Sequence, residues 1–187
     1  EEFTKDGHVR KILVPHNVVH QASKDRVVTA PVKTNNYIAA NGYAVPNTQE
    51  ITRHFHGCKV FSTLDLKSAF HLVPFMTLAD FRKDNPDKEF VVFTAMLDGI
   101  EYMYTSMVFG LRDAATFFQI MMRDTLRGIG EELGSDRFEV GNGIVTVYID
   151  DILISTNDVK ENERVLLAVL KRLARQNFCI KAEKCNL

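Results

Sequence analysis

The chain has 187 residues and nearly balanced charge, with 23 Lys and Arg against 24 Asp and Glu and a formal net charge of −1. With 45% apolar and 25% charged residues the composition is that of a globular protein with an ordinary core, which excludes a disordered chain and a globally basic one. No run approaches the ~18 apolar residues of a membrane span, Glu1–Asp6 is no signal peptide, and the cysteines Cys58, Cys179 and Cys185 suit a reducing compartment better than a disulfide framework.

Short strand-like runs at Val9–Val14 and Arg26–Val32 open the chain, with turn formers between them. Asn47, with Glu50 three residues on, predicts a capped helix running to about Phe55 and ending at Gly57. A strand Val60–Asp65 follows, then a short helix from Leu66 to about Leu72, stopped by Pro74. Arg82–Lys88 reads as a polar loop, and Phe90–Met96 with Glu101–Met107 as a hairpin around Asp98-Gly99. Helical spacing of Phe117, Ile120, Met121 and Leu126 predicts a helix from Asp113 to about Ile129. A Gly-rich acidic connector, Gly130–Asn142, leads to strands Ile144–Val147 and Ile152–Ile154. An Asn157-Asp158 cap then starts an amphipathic helix to about Gln176, with Val165, Leu166, Val169, Leu170 and Leu173 on one face, and Phe178–Lys181 reads as a last strand. There is no repeat. The order of elements predicts an α+β fold, an antiparallel sheet with helices packed on one face.

The chemistry concentrates at Tyr148-Ile149-Asp150-Asp151, two acids at the tip of an apolar hairpin, and at Asp65, which ends a buried strand. Two carboxylates at ~4 Å repel by ~4 kcal/mol at an effective dielectric near 20, so both stay ionised only when a cation bridges them. Few, open, hard oxygen ligands suit magnesium shared with substrate phosphates, and hence two-metal phosphoryl or nucleotidyl transfer. His54-x-His56-x-Cys58 straddles a predicted helix end without further ligands at zinc spacing, and is set aside.

The tyrosine-x-Asp-Asp hairpin, with Leu64-Asp65-Leu66-Lys67-Ser68-Ala69-Phe70 upstream, resembles the reverse transcriptase family, most closely the polymerases of gypsy-class LTR retrotransposons. Val108-Phe109-Gly110-Leu111-Arg112-Asp113-Ala114, Phe118-Gln119 and Ala182-Glu183-Lys184-Cys185 extend the resemblance in the right order over some 160 residues. It implies a right-hand polymerase fold lacking its thumb, with fingers at about 8–46 and 75–107 and a palm-type sheet at about 47–74 and 108–187. The resemblance further implies that Asp65 and Asp150, with the Leu66 backbone carbonyl, hold two Mg²⁺ ions (Mn²⁺ as a substitute), and that Asp151 is the third acid. Lys184 is implied as a proton donor to departing pyrophosphate, although Lys181 lies close by. Phe70 is implied to exclude a ribose 2′-hydroxyl, Ser68 and Ala69 to offer N–H groups to the triphosphate, and Arg26 and Lys24 to steady the nucleotide. Phe109-Gly110 resembles the loop that supports the nucleotide's ribose and base, and Tyr148, Arg112 and Gln119 are candidates for template or primer contact; Gln119 is equally a candidate helix-surface residue.

The implied partners are an RNA or DNA template with primer, dNTPs, and the rest of a Pol polyprotein (thumb, RNase H, integrase), with no membrane. The implied location is intracellular, in the cytoplasm or within virus-like particles, and the chain is expected to be an excised segment of that polyprotein. The sequence departs from the family at Ala30-Pro31-Val32-Lys33-Thr34-Asn35, where Asp-Tyr-Arg precedes Leu-Asn, and at Val108 and Ala115, where proline is usual. These departures leave open an alternative, a weak or inactive palm-domain remnant that binds RNA or a protein. A viral RNA-dependent RNA polymerase is disfavoured by Tyr148 and Phe70.

Overall fold

The β-branched and aromatic runs of the sequence become strands in the computed structural model, which describes residues 8–20, 25–38, 47–53 and 55–187, with only the backbone of Arg26, Val27, Thr48, Glu50 and Arg53. The strands are β1 (Val9–Leu13), β2 (His16–His20), β3 (Asp25–Thr29), β4 (Val60–Asp65), β5 (Phe90–Leu97), β6 (Ile100–Met103), β7 (Val145–Tyr148) and β8 (Asp151–Thr156). The helices are α1 (Thr48–Arg53), α2 (Leu78–Asp84), α3 (Ala114–Leu126), α4 (Ile129–Leu133) and α5 (Val159–Arg175). They divide between two units, Glu1–Ala40 with Phe70–Ala114, and Asn41–Ala69 with Ala115–Leu187.

The first unit carries a sheet of order β1-β5-β6 and a separate β2–β3 ribbon. The β1–β5 pair is parallel, whereas β5–β6 is antiparallel and closes at Leu97↔Ile100. Between them Asp98 and Gly99 have φ of 50° and 77°, the sign pattern of the primed turn that an Asp-Gly pair favours. The second strand is shorter than the expected Glu101–Met107, because the Thr105 carbonyl accepts from Phe75 and the Met107 N–H donates to Val73. Three further expectations are corrected here. The turn-forming stretch after Val14 contains strand β2, the strand starting near Arg26 ends at Thr29, and the stretch read as a polar loop from Arg82 begins inside α2. That helix starts where the Thr77 hydroxyl accepts the Asp80 N–H at 3.1 Å, an N-cap hidden among charged residues.

The second unit is built on an antiparallel sheet of order β4-β8-β7. Pairing of Leu64 with Ile152, Ser62 with Ile154, and Val145 and Val147 with the same two isoleucines puts six buried residues on one face. The α5 residues Val165, Val169 and Leu173 are also buried, and Asn162 accepts a hydrogen bond from the Ser62 hydroxyl at 2.6 Å. Period-two alternation then places Asp65, Asp151 and Tyr148 on the opposite face, since Asp65 pairs with Asp151 and Asp151 with Tyr148. The expected cap holds, with Asp158 accepting the Glu161 N–H at 2.9 Å.

In α3 Leu126 is buried as expected, but the inward positions before it are Phe118 and Met122 rather than Phe117 and Met121. Phe118, Met122 and Leu126 are buried, while Phe117 is 53% exposed. The stretch Gly130–Asn142 is more ordered than a connector: α4 runs between Gly128 and Gly134, both left-handed, and a 3₁₀ turn spans Asp136–Phe138. Glu139 accepts the N–H groups of Gly128 and Gly130 at 2.8 and 2.9 Å. The helix expected from Leu66 is only a 3₁₀ turn at Ala69–Leu72, and the last expected strand reduces to a Leu66↔Ile180 bridge. Asn47 caps α1, its Oδ1 accepting the Gln49 N–H at 3.0 Å, and α1 ends at Arg53 rather than near Phe55; the side chain of Glu50 lies outside the described ones.

Candidate active site

Strands β7 and β8 are joined by only Ile149 and Asp150, because Tyr148 pairs with Asp151. Ile149 has φ of 53°, whereas Asp150 does not share the positive sign. A two-residue hairpin of this sign pattern prefers glycine at its first position. A β-branched residue held there costs about 1–3 kcal/mol and persists only where its surroundings impose it. The surroundings here are Gln119, 1% exposed on α3. Its amide oxygen, Oε1, accepts the Ile149 N–H at 2.7 Å, and its Nε2 donates to the Val147 carbonyl at 2.8 Å. Gln119 is thus neither a helix-surface residue nor exposed for template contact. It is the buried brace of the acid-bearing turn.

Asp150 is half-buried, and its Oδ1 is buried without a hydrogen-bond partner. Burial first, then the negative charges of Asp151 and Asp65, push its carboxyl above the ordinary range, with Lys181 opposing. Asp65 lies at the end of β4. Burial acts to raise its carboxyl, but the hydrogen bonds and charges of Lys181 and then Lys184 outweigh it and hold the group below the usual range. Lys181 Nζ is 3.1 Å and Lys184 Nζ 3.5 Å from the two Asp65 oxygens. Lys184 therefore lies at the acidic face as expected, and Lys181, given second place by the sequence, is the nearer cation. The Asp65 carbonyl accepts the Lys181 N–H at 2.8 Å, which fixes that segment beside the acid.

An orphaned carboxylate oxygen on a group that feels the charge of two other acids fits a divalent ion. Among the described residues no three His, Cys, Asp or Glu side chains form a metal cage. Few protein ligands leave coordination positions for water or substrate oxygens, which is how magnesium is usually held. Leu66, whose carbonyl was the expected backbone ligand, is buried at the Ile180 bridge. Ser68 is exposed with φ of 51°, and Ala69 is buried at the start of the 3₁₀ turn.

In the other unit, Phe70 is buried and meets Phe109 at a centroid distance of 4.8 Å, with His71 edge-on to Phe109 at 5.4 Å. Gly110 has φ of 82° and packs so closely that an added Cβ would meet Pro31 at 3.1 Å. Arg112 is exposed, its N–H given to Asn35. Arg26 pairs with Val19 in the ribbon, its side chain outside the described ones, and Lys24 lies outside the described residues, as does His54. Asn35 carried no role in the sequence; its signal was only its place after Thr34, where the family has Leu-Asn.

Comparison with known proteins bears on this geometry. The family model for reverse transcriptase (RNA-dependent DNA polymerase) matches residues 8–187. The retrovirus-related Pol polyprotein from transposon gypsy of Drosophila melanogaster is 30% identical over 98% of this chain and 17% of its own length. The Pol polyprotein from transposon 297 of the same fly is 29% identical over 100% of the chain and 16% of its own. The chain thus spans about a sixth of these relatives. The foamy viral protease-reverse transcriptase in complex with RNA/DNA hybrid superimposes with a TM-score of 0.72 at 21% identity, over 94% of this chain and 21% of that one. A related foamy viral structure in complex with double-stranded DNA gives 0.72 at 22% identity, over 94% and 27%.

Proposed function

The chain belongs to the reverse transcriptase (RNA-dependent DNA polymerase) family, and from that premise we propose that it is the fingers and palm of a retrotransposon polymerase that adds deoxynucleotides to a primer 3′-hydroxyl. The observation that carries this reading is the unpartnered Asp150 oxygen on a braced, strained turn, sharing its sheet end with Asp65 and Asp151.

Asp65 and Asp150 would hold two Mg²⁺ ions, which supply activation of the primer hydroxyl and charge neutralisation of the triphosphate. Asp151 adds negative potential that favours such ions, and Gln119 keeps the Asp150 backbone in its bound orientation without reorganisation. Tyr148, which pairs with Asp151 on the acidic face, would contact the primer end. Lys181 and Lys184 carry ammonium protons beside Asp65, and one of them donates to the departing pyrophosphate. Segments 8–40 and 75–107 of the first unit would serve as fingers, and Phe70 and Phe109, from the palm segments that share this unit, would supply an apolar wall that leaves a 2′-hydroxyl without a partner, at a cost of ~1–3 kcal/mol. Arg26 and Lys24 steady the triphosphate. Template, primer and the remaining Pol segments are the partners, a reading supported by the relatives' polyprotein names. No helix among the described residues is long and apolar enough to cross a membrane.

Primer extension on an RNA template with dNTPs and Mg²⁺, using the full-length protein that carries this chain beside its Asp150→Asn variant, tests the proposal. Extension lost in the variant supports it. A folded, duplex-binding protein that extends nothing favours a binding remnant.

A further inference from the structure

The Phe109–Arg112 loop is held by a residue that the polymerase chemistry leaves unassigned. Asn35, in the 3₁₀ turn Thr34–Tyr37, donates from Nδ2 to the Gly110 carbonyl at 2.9 Å. The same amide accepts the Arg112 N–H on Oδ1 at 2.6 Å. One planar group thus satisfies an acceptor and a donor two residues apart, which a carboxylate or an aliphatic side chain of similar shape fails to do. The Thr29 hydroxyl donates to the Phe109 carbonyl, and Pro31 closes on Gly110. The loop therefore lies against residues 29–35 with no spare room.

What the loop presents is Phe109. Phe109 is 49% exposed, yet its ring rests on Phe70, which is 4% exposed, at an interplanar angle of 36°. Phe70 sets one side of that contact, and the pinned backbone sets the other. We propose that Asn35 is a specificity-determining positioning residue: by pinning Gly110 and Arg112 it holds Phe109 against Phe70, and so maintains the wall that separates deoxyribonucleotides from ribonucleotides. This rests on the polymerase reading above. A loop released from Asn35 lets the two rings part, and a sugar bearing a 2′-hydroxyl then finds room and water beside it.

The test is single-nucleotide incorporation by the full-length protein on an RNA-templated primer, each dNTP against its rNTP. Wild type is compared with Asn35→Ala, Asn35→Asp, Thr29→Val, Phe70→Ala and the Asn35→Ala/Phe70→Ala pair. Asn35→Ala, by releasing the loop, raises KM for dNTP by about tenfold. Discrimination against rNTP falls by about fivefold or more, while kcat changes by less than about threefold. Asn35→Asp is at least as severe, because its carboxylate faces the Gly110 carbonyl, and Thr29→Val moves the same way by less. In the Phe70→Ala background, Asn35→Ala adds no further loss of discrimination. Melting temperature and duplex affinity identify any variant that has lost its fold, and the remaining Asn35 or Thr29 variant then carries the comparison. Discrimination within about twofold of wild type in the folded variants, or a loss fully additive with Phe70→Ala, overturns the proposal. A folded wild type that binds duplex and incorporates neither sugar overturns the polymerase reading, and this inference with it.

Discussion

Two hairpins in this protein close with two residues each, and they could hardly be made more differently. Asp98-Gly99 uses the residues its backbone demands, both at positive φ, and needs nothing from elsewhere. Ile149-Asp150 places a β-branched residue at positive φ, and the turn is held by Gln119, which bonds the Val147 carbonyl and the Ile149 N–H from α3. Local chemistry makes the first turn; tertiary bracing imposes the second. The strained one bears the acid. A glycine at 149 would satisfy the turn locally but leave Asp150 free to wander, whereas a stiff residue under a buried brace gives one orientation.

The largest effect expected from breaking this contrast is at Asp150 itself. Asp150→Asn should lower incorporation by about a thousandfold or more, by removing charge at the reacting centre, in rapid-quench assays. In metal-free buffer the same variant should melt higher than wild type, since it no longer buries a charge. Gln119→Leu comes next. It strands the Ile149 N–H and the Val147 carbonyl, costing about 2–4 kcal/mol in urea titrations and most of the activity. Ile149→Gly sharpens the comparison, because it relieves strain while adding backbone entropy. Stability should change by less than about 1 kcal/mol while kcat falls, and its cost should shrink in a Gln119→Leu background. Gly99→Ala, at the self-sufficient turn, should cost about 1 kcal/mol and leave kcat untouched.

The smallest effect is on pH dependence without metal. The raised carboxyl of Asp150 means that the folded state binds its proton more tightly than the unfolded chain. Its contribution to stability therefore falls as pH rises from the ordinary carboxylate range through the folded value, and Asp150→Asn removes that slope. Asp65 has the opposite sign: its stabilisation is present above the ordinary carboxylate range and is lost as pH falls through its lowered folded value. Melting curves across acidic pH for the two single Asn variants separate these slopes.

Much of this was legible in the sequence. Strands β4, β7 and β8 follow from short apolar runs, the β5–β6 turn from Asp-Gly, and α5 from its cap and its wide apolar face. The acids at strand ends were visible for the same reason, as charge where an apolar run stops. What escaped has physical causes. The spacing in α3 fits Phe117 as well as Phe118, since a period of 3.6 tolerates either choice when aromatics are adjacent, but the helix turns Phe118 inward. For Gln119 the sequence supports only a template contact or a surface position, because its partners, two backbone groups of a distant strand turn, leave no mark in local composition. Helix α2 was masked by Asp80, Arg82, Lys83 and Asp84, whose charges suit its exposed setting. The Asn35 contacts span about 75 residues and are set by tertiary folding alone.

The Lys184–Asp65 contact closes a loop of 119 residues, and the Asn186–Thr63 contact one of 123. Loops of that length close slowly, because their entropy must be lost before the contact returns anything. During synthesis Asp65 leaves the ribosome long before its lysines do, and Asp150 also precedes them. The carboxylates therefore spend that interval without their built-in counter-ions, and the acidic face is complete only once residues 181–184 have followed.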